Sequence, residues 1–326
     1  MSLYIPDFIR KQLKHLPGAQ LPLSYYRKRQ KRSHRQKLAA CPLPGIVAVE
    51  LTNTCNLSCA KCPLIRSSRE KGFIGDELFK KILRDIESAG TPTEIALSGS
   101  GEPTLHPRLV DYVKAARSIP NIGVIGFATN GVELNPPLSQ ELLDAGLTRL
   151  KASLDTDDSE TYRRLNGRDV YWQAEENFIQ FCEVNKSTGN RCKVTLKATL
   201  YKNDLSLAKR LKEKWAQHVD QVRITPVHNW GGSITKKLNS NAPVSQPCAM
   251  LWQQIQVLWD GQITLCCMDS MEGRFNMGNV REKYLSHYWL YDTGLHSIRR
   301  LHEAMDLSTL PICESCDMDA YSDINI

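Results

Sequence analysis

The chain has 326 residues, 41% of them hydrophobic, and a formal net charge of +7, an ordinary composition for one large core or two modest domains. No apolar run approaches the roughly 18 to 20 residues of a membrane-spanning helix, and no apolar segment with a small-residue cleavage site opens the chain, so we expect a cytoplasmic protein without a transmembrane segment. Eleven cysteines in tight clusters favour metal binding over disulfides.

The first 40 residues are strongly basic. They carry ten Lys or Arg against one acid, so the rest of the chain is slightly acidic. A short amphipathic helix is predicted over Ile5–Leu16, ahead of the basic run Arg27–Arg32, and Pro42 and Pro44 mark a boundary. This N-terminal extension, residues 1–45, can meet an anionic partner such as an acidic carrier, a membrane surface or nucleic acid, or it is a solvated tail.

Between residues 46 and 232 the pattern becomes a repeated strand and helix. The predicted strands are Gly45–Thr52, Glu94–Ser98, Ile122–Ala128, Leu147–Leu154, Lys193–Leu200 and Val219–Pro226, and the predicted helices are Asp76–Ser88, Pro107–Arg117, Ser139–Ala145, Tyr171–Glu183 and Leu205–Trp215. Six such units imply an α/β fold with parallel strands covered by helices, a partial (β/α)6 barrel of the TIM type. Its chemistry is expected on loops at the carboxyl ends of the strands.

Three cysteines follow the first predicted strand directly. Cys55, Cys59 and Cys62 have CxxxCxxC spacing, and they supply three of the four thiolates that would close a tetrahedral metal site. An iron–sulfur cluster held by three cysteines keeps one iron open to a ligand that is not protein. A zinc knuckle or a chance cluster is the alternative for this loop alone.

Small and polar residues follow the next three strands. Gly99-Ser100-Gly101-Glu102 after the second strand allows close backbone approach, and its carboxylate can accept hydrogen bonds from an ammonium group. Ala128-Thr129-Asn130-Gly131 after the third strand is either a ligand-facing segment or an Asn-Gly turn. Ser153 and Asp155 lie on one face of the fourth strand, because alternate strand residues point the same way.

The loop after the sixth strand has two interpretations. Pro226-Val227-His228-Asn229-Trp230-Gly231-Gly232 can supply an aromatic wall for an adenine or a substrate, or it is a packed loop with two turn glycines. Arg223, Lys197 and His228 are candidates for a catalytic base by position only.

A second cysteine set lies in residues 233–326, where the strand and helix alternation stops. Cys248 precedes a predicted hairpin, Ile255–Trp259 and Gln262–Cys266 around an Asp-Gly turn, and Cys313 and Cys316 follow. Four thiolates make a closed site, either zinc or a fully ligated iron–sulfur cluster. Because neighbouring strand residues point to opposite faces, one cluster can hardly use both Cys266 and Cys267. The cysteine that is not a ligand is then a buried thiol or a hydrogen-atom donor.

These motifs together resemble the radical S-adenosylmethionine (SAM) superfamily, over about residues 46–316. The resemblance implies that Cys55, Cys59 and Cys62 hold a 4Fe-4S cluster whose open iron binds SAM. It implies that Ser100, Gly101 and Glu102 form a variant of the family's Gly-Gly-Glu motif at the SAM amino group, that Thr129 and Asn130 lie beside the ligand, and that Ser153 and Asp155 hold the carboxylate and ribose. The tail, a β-hairpin plus helix, resembles the shortened SPASM form called twitch, with Cys248, Cys266, Cys313 and Cys316 on one auxiliary 4Fe-4S cluster.

The expected reaction follows from this resemblance. Reduction of the first cluster, by a flavodoxin or ferredoxin, would generate a 5′-deoxyadenosyl radical that abstracts hydrogen from a small-molecule or peptide substrate. The leading hypothesis is two-electron dehydrogenation of a sugar, aminocyclitol or polyol hydroxyl, with the auxiliary cluster as electron acceptor. A radical epimerase that uses Cys267, a peptide-modifying maturase and a zinc-dependent nucleic-acid-binding protein remain as alternatives.

Overall fold

A computed structural model describes residues 31–200, 204–234 and 246–317. The predicted helix Ile5–Leu16 and the basic run Arg27–Arg29 lie outside the described residues. The chain consists of two compact units, which divide at Cys41/Pro42. In the first unit residues 31–39 are helical, and the second unit contains all the elements below. None of the helices in the described ranges is both long enough and apolar enough to span a bilayer.

The second unit is built on an eight-stranded sheet in the order β6-β5-β4-β3-β2-β1-β7-β8. Its strands are β1 Ile46–Val49, β2 Thr93–Ala96, β3 Ile122–Thr129, β4 Arg149–Ser153, β5 Lys193–Leu200, β6 Gln221–Pro226, β7 Gln254–Val257 and β8 Ile263–Thr264. Every neighbouring pair is parallel except β7 and β8. The predicted parallel α/β architecture with six strand–helix units is therefore confirmed.

The α-helices lie between and after the strands along the chain. They are α1 Asp76–Ala89, α2 Leu109–Arg117, α3 Pro136–Asp144, α4 Ser159–Asn166, α5 Tyr171–Ser187, α6 Leu205–Trp215, α7 Met250–Gln253, α8 Leu285–Tyr291, α9 Thr293–Ala304 and α10 Pro311–Glu314. Strand residues such as Val47, Ile95, Ile125, Leu150 and Leu196 are fully buried in the core. Their immediate neighbours along each strand point to the opposite face, which is where polar residues can line a concave interior.

Helix α4 was not predicted from the sequence. Its N-terminus is capped by the Asp158 side chain, which accepts a hydrogen bond from Thr161 N at 2.7 Å, and it ends at Gly167 with φ +80°. Only Tyr162 and Asn166 are buried among its eight residues, so its apolar periodicity is too weak to be recognised.

The segment that carries the second cysteine set joins the main sheet. Strand β7 pairs with β1 in parallel register, with Val47 opposite Ile255, and β8 forms the predicted hairpin with β7. The second hairpin strand ends at Thr264 rather than at the predicted Cys266. Cys266 and Cys267 therefore lie in the turn that follows, and the strand-alternation argument for separating them does not apply.

Candidate active site

The CxxxCxxC loop leaves the carboxyl end of β1 and docks on helix α4. Ser58 N donates to Asn166 O at 3.1 Å and Ala60 N donates to Leu165 O at 2.8 Å. Burial raises the pKa of Cys55 to about 11 and that of Cys59 to about 12. The thiols are thus protonated without metal, and cluster binding must release their protons.

The three thiols share one electrostatic environment. Cys62 raises the pKa of both Cys55 and Cys59. In residues 31–200, 204–234 and 246–317, no three His, Cys, Asp or Glu side chains converge on a position for a single metal ion. In a 4Fe-4S cluster each thiolate binds a different iron, so its cysteines need not converge on one point.

The Gly-Ser-Gly-Glu segment after β2 is fixed to the cysteine loop by its backbone. Gly101 N donates to Thr52 O at 3.2 Å and Glu102 N donates to Thr54 O at 2.9 Å. A Cβ atom on Gly101 would lie 2.4 Å from Thr54 O and 2.5 Å from Thr52 O, so only glycine fits this approach.

We expect Gly101→Ala to destabilise the protein by about 1–3 kcal/mol, because backbone atoms on both sides must move. The matched control is Gly123→Ala in β3, where a Cβ atom meets nothing within 4 Å. Chemical denaturation of both variants under anaerobic conditions measures the difference. Equal stability of the two variants would contradict the steric argument.

Glu102 is buried and accepts hydrogen bonds from protein groups. Thr129 Oγ1 donates at 2.8 Å, Asn130 N at 2.8 Å and Thr104 Oγ1 at 2.8 Å. Burial raises the pKa of this carboxyl. Glu102 thereby joins the end of β2 to the end of β3, and an ammonium group would share the carboxylate with these donors.

Asn130 connects the end of β3 to the cysteine loop. Its Nδ2 donates to Asn56 Oδ1 at 2.8 Å and to Cys55 Sγ at 3.9 Å, while Oδ1 accepts from Val132 N at 3.0 Å. Thr129 Oγ1 accepts from Gly131 N at 3.0 Å. The Thr-Asn-Gly segment is a turn, and that turn lies against a predicted cluster ligand.

Ser153 and Asp155, predicted together, have different surroundings. Ser153 lines a cavity on the inner face of the sheet. Asp155 is buried, forms an ion pair with Lys61 from the cysteine loop, and accepts from Thr199 N at 2.8 Å. The carboxylate predicted to hold the SAM ribose is therefore held by Lys61, whose position inside the CxxxCxxC motif gave no sign of this contact.

Tyr162 is a site residue that sequence reasoning missed. Its side chain is 1% exposed, and its hydroxyl finds no hydrogen-bond partner in the described part of the chain. Burial and the neighbouring Cys59, Asp155 and Glu102 raise its pKa. A buried hydroxyl without a partner beside two of the thiols and two carboxylates fits a pocket that holds a polar ligand.

The second cysteine set gathers near the start of helix α10. Cys248 and Cys316 both raise the pKa of Cys313, which burial brings to about 12. Burial, Cys267 and Cys248 raise the pKa of Cys266. Cys248 N also lies 3.4 Å from His302 Nδ1. The donors of this set, Cys248, Cys266, Cys313 and Cys316, are all soft thiols, which suits an iron–sulfur cluster.

Cys267 is influenced both by this cysteine set and by a residue of the sheet. Its pKa is raised by burial and by Cys248, and it is lowered by Lys197 of β5. Cys248 thus raises the pKa of both Cys266 and Cys267, although strand alternation predicts that these two cysteines point to opposite faces.

Residues 228–232, the bridge loop, contact both cysteine motifs. Trp230 Nε1 donates to the carbonyl of Lys61 at 2.7 Å, between Cys59 and Cys62. Asn229 Nδ2 donates to the carbonyl of Ser315 at 2.5 Å, between Cys313 and Cys316. Of the two interpretations of this segment, the packed loop agrees with these contacts. The bridge loop connects the two thiol sets through one hydrogen bond to each.

A buried ion pair lies beneath the site. Arg69 donates to Glu50 at 2.7 and 3.1 Å, at the end of β1. Arg69 also donates to Ser270 O at 2.7 Å, and Ser100 Oγ donates to the same carbonyl at 3.0 Å. Nothing in the sequence predicts this ion pair, which joins the segments bearing both cysteine sets.

Comparison with known proteins follows the same division of the chain. The family model of the radical SAM superfamily matches residues 49–203, and that of an iron–sulfur cluster-binding domain, SPASM, matches residues 248–317. The chain is similar to a tungsten-containing aldehyde ferredoxin oxidoreductase cofactor-modifying protein of Pyrococcus furiosus, with 36% identity over 33% of this chain and 30% of the relative. It is also similar to an AdoMet-dependent heme synthase of Methanosarcina barkeri, with 35% identity over 40% of this chain and 36% of the relative. The alignments span about a third of these curated relatives.

Solved structures share the fold at low identity. BtrN in complex with AdoMet and 2-DOIA aligns with a TM-score of 0.58 at 19% identity, covering 84% of this chain and 93% of BtrN. SuiB of Streptococcus suis bound to the precursor peptide SuiA aligns with a TM-score of 0.66 at 16% identity, covering 92% of this chain and 77% of SuiB. The alignments support the predicted barrel and the C-terminal cluster segment as one fold.

Proposed function

The chain belongs to the radical SAM superfamily and carries a C-terminal iron–sulfur cluster-binding domain, and on that premise we propose that it dehydrogenates a hydroxyl group of a small molecule. The cofactors of this class are SAM, the 4Fe-4S cluster that binds it and an auxiliary iron–sulfur cluster. The proposed ligands are Cys55, Cys59 and Cys62 for the first cluster and Cys248, Cys266, Cys313 and Cys316 for the second.

The cofactors would supply the radical chemistry, through a 5′-deoxyadenosyl radical that takes a hydrogen atom from substrate carbon. The protein holds the cysteine loop on α4, bonds Asn130 to Cys55, and buries the carboxylates of Glu102 and Asp155. The hydroxyl then loses one proton and the substrate one further electron, so the product is a carbonyl compound. An auxiliary cluster with four protein thiolates has no open iron and suits the role of electron acceptor.

The observation that carries this proposal is the bridge loop. Trp230 and Asn229 each donate a hydrogen bond into the middle of a CxxC segment, one from each set. A fixed distance between the two thiol sets is what electron transfer from a substrate radical to a second cluster requires.

The test is an anaerobic reaction of the reconstituted enzyme with SAM, a flavodoxin or ferredoxin reductant and candidate hydroxylated metabolites. We expect 5′-deoxyadenosine and a two-electron-oxidised product in equal amounts in a single turnover. A product with an inverted stereocentre and no oxidation would contradict dehydrogenation.

Epimerisation is the second candidate, because Cys248 of the auxiliary set and Lys197 of β5 both influence the pKa of the Cys267 thiol. In that reaction the Cys267 thiol returns a hydrogen atom to the substrate radical. An epimerase would place solvent deuterium in the product, and Cys267→Ala would lose that deuterium while 5′-deoxyadenosine still forms. Deuterium-free product from the unmodified enzyme would exclude the donor role of Cys267. Because the fold is similar to that of SuiB, peptides are included among the substrates tested.

A further inference from the structure

The bridge loop has a left-handed backbone at a residue that disfavours it. Trp230 has φ +52°, and Gly231 and Gly232 follow with φ +60° and +86°. Glycine adopts this region freely, whereas the Cβ atom of a tryptophan crowds the carbonyl oxygen that follows it. A large side chain keeps such a conformation only where the surrounding contacts hold the backbone in place.

The segment that carries the C-terminal CxxC motif supplies contacts on both sides of Trp230. The amide of Asn229 donates to both oxygens of the Asp317 carboxylate, at 2.9 and 3.1 Å. A Cβ atom on Gly231 would lie 2.4 Å from Ile312 Cγ1, so the residue after Trp230 is closely packed as well. The C-terminal segment therefore holds the residues before and after the tryptophan.

The side chain of Trp230 reaches the first cysteine set. Its Nε1 donates to Lys61 O at 2.7 Å. That carbonyl belongs to the peptide group between Lys61 and Cys62, whose N–H donates to Cys59 O at 2.9 Å. Both polar atoms of this peptide group are thus hydrogen-bonded, and the orientation of the group sets the position of Cys62.

Two supports hold the cysteine loop, and they come from different parts of the chain. Ser58 N and Ala60 N donate to carbonyls at the end of helix α4. The peptide group that leads into Cys62 is held by Trp230 of the bridge loop, which the C-terminal segment holds in turn. The position of one proposed cluster ligand thus depends on residues more than two hundred positions later in the chain.

We propose that Trp230 is a positioning residue for Cys62, and that Asp317 acts on the first cysteine set through it. The C-terminal segment thereby determines how firmly the first cluster is held. The inference rests on the proposed function only for the assignment of that cluster to Cys55, Cys59 and Cys62. Groups that orient a ligand residue affect metal affinity nearly as strongly as the ligands themselves, because a ligand that is free to turn binds less tightly.

Removal of iron by a chelator from the anaerobically reconstituted, reduced enzyme tests this inference. The readout is the electron paramagnetic resonance signal that changes when SAM is added, because a cluster with four protein thiolates has no open iron for SAM. We expect this signal to decay about tenfold faster in Trp230→Phe, which keeps an aromatic ring and loses the indole N–H, and in Asp317→Ala. The double variant should decay no faster than Trp230→Phe, because Asp317 acts through the indole.

The matched controls are Trp172→Phe and Asp306→Ala. Trp172 is 63% exposed on helix α5, and the exposed Asp306 accepts a hydrogen bond from Ser308 Oγ at 2.7 Å. These variants make the same changes of side chain away from the bridge loop, and we expect the decay rate of the unmodified enzyme in both. Circular dichroism and the initial iron content establish that each variant is folded.

An unchanged decay rate in Trp230→Phe would overturn the inference, and so would equal acceleration in the controls. Fast decay in Trp230→Phe beside slow decay in Asp317→Ala would overturn the role of Asp317, and so would a double variant that decays faster than Trp230→Phe. No substrate is present, so the result does not depend on the reaction catalysed. The expected decay rates together with an unoxidised product in the activity assay would refute the proposed function alone.

Discussion

Replacing Cys59 with alanine should reduce 5′-deoxyadenosine formation to background and lower the iron content from about eight to about four atoms per chain. The CxxxCxxC loop supplies only three thiols, those of Cys55, Cys59 and Cys62. Two remaining cysteines cannot keep a cluster that exposes one iron to SAM. Iron and sulfide analysis after anaerobic reconstitution, with the SAM cleavage assay, measures both effects.

The matched control for this loss is Cys182→Ala. Cys182 is a buried thiol of helix α5, and the charged groups that influence its pKa are Lys186, Asp220 and Glu183. We expect its alanine variant to retain full iron and SAM cleavage. Retention of full iron and normal SAM cleavage in Cys59→Ala would remove Cys59 from the ligand set and with it the proposed first cluster.

The sheet could be predicted because the spacing of apolar residues is regular within each strand and each helix. Strand β5, Lys193–Leu200, and helix α6, Leu205–Trp215, have the predicted bounds. Their buried faces are apolar at strand or helix spacing, and that pattern survives in a single sequence. The pairing of β7 with β1 was not predictable, because it joins segments about two hundred residues apart through backbone bonds that any side chains permit.

The inner face could have been recognised by alternation. Basic residues occupy one face of three strands, namely Arg149 and Lys151 of β4, Lys193 and Lys197 of β5, and Arg223 of β6. Leu150 and Leu196, which point to the other face, are buried. A strand with cations on one face and apolar residues on the other predicts a polar interior. Single residues such as Lys197 and Arg223 are weak candidates, whereas the shared register across strands indicates a continuous polar face.

Other contacts of the site depend on tertiary structure alone. Lys61 reaches Asp155, and Tyr162 reaches the same region from a helix that has little apolar pattern. Trp230 meets the carbonyl of Lys61 because the loop after β6 turns towards the cysteine loop. Every residue has a backbone carbonyl, so a contact between an indole and a carbonyl cannot be predicted from the sequence before the fold is known.

The buried ion pair of Glu50 and Arg69 provides the largest expected effect on stability. Glu50 is fully buried, and besides Arg69 it accepts from Ser100 N at 3.1 Å and from Trp259 N at 3.2 Å. One carboxylate thus satisfies a guanidinium and two backbone amides. These donors come from the segment after the first cysteine loop, from the Gly-Ser-Gly-Glu segment and from the hairpin after β7.

We expect Glu50→Ala to lower the free energy of unfolding by about 3–5 kcal/mol, because Arg69 keeps its charge in a site that has lost its counterion. The melting temperature should fall by roughly 10 °C. The control is Glu77→Ala, which removes an exposed ion pair with Lys80 at 3.0 Å on helix α1 and should change stability by less than about 1 kcal/mol. Chemical and thermal denaturation at equal iron content measures both, and similar stability of the two variants would refute a structural role for the buried pair.

The double variant Glu50→Ala, Arg69→Met separates the charge from the other hydrogen bonds. Removing Arg69 as well eliminates the unpaired cation, so the double variant should be more stable than Glu50→Ala. It should remain less stable than the unmodified protein, because the amides of Ser100 and Trp259 still lack their acceptor. Full recovery would mean that the guanidinium charge accounts for the whole effect, and no recovery would mean that the two amides do. Partial recovery would show that Glu50 joins the Gly-Ser-Gly-Glu segment to the hairpin of β7 and β8 through both kinds of contact.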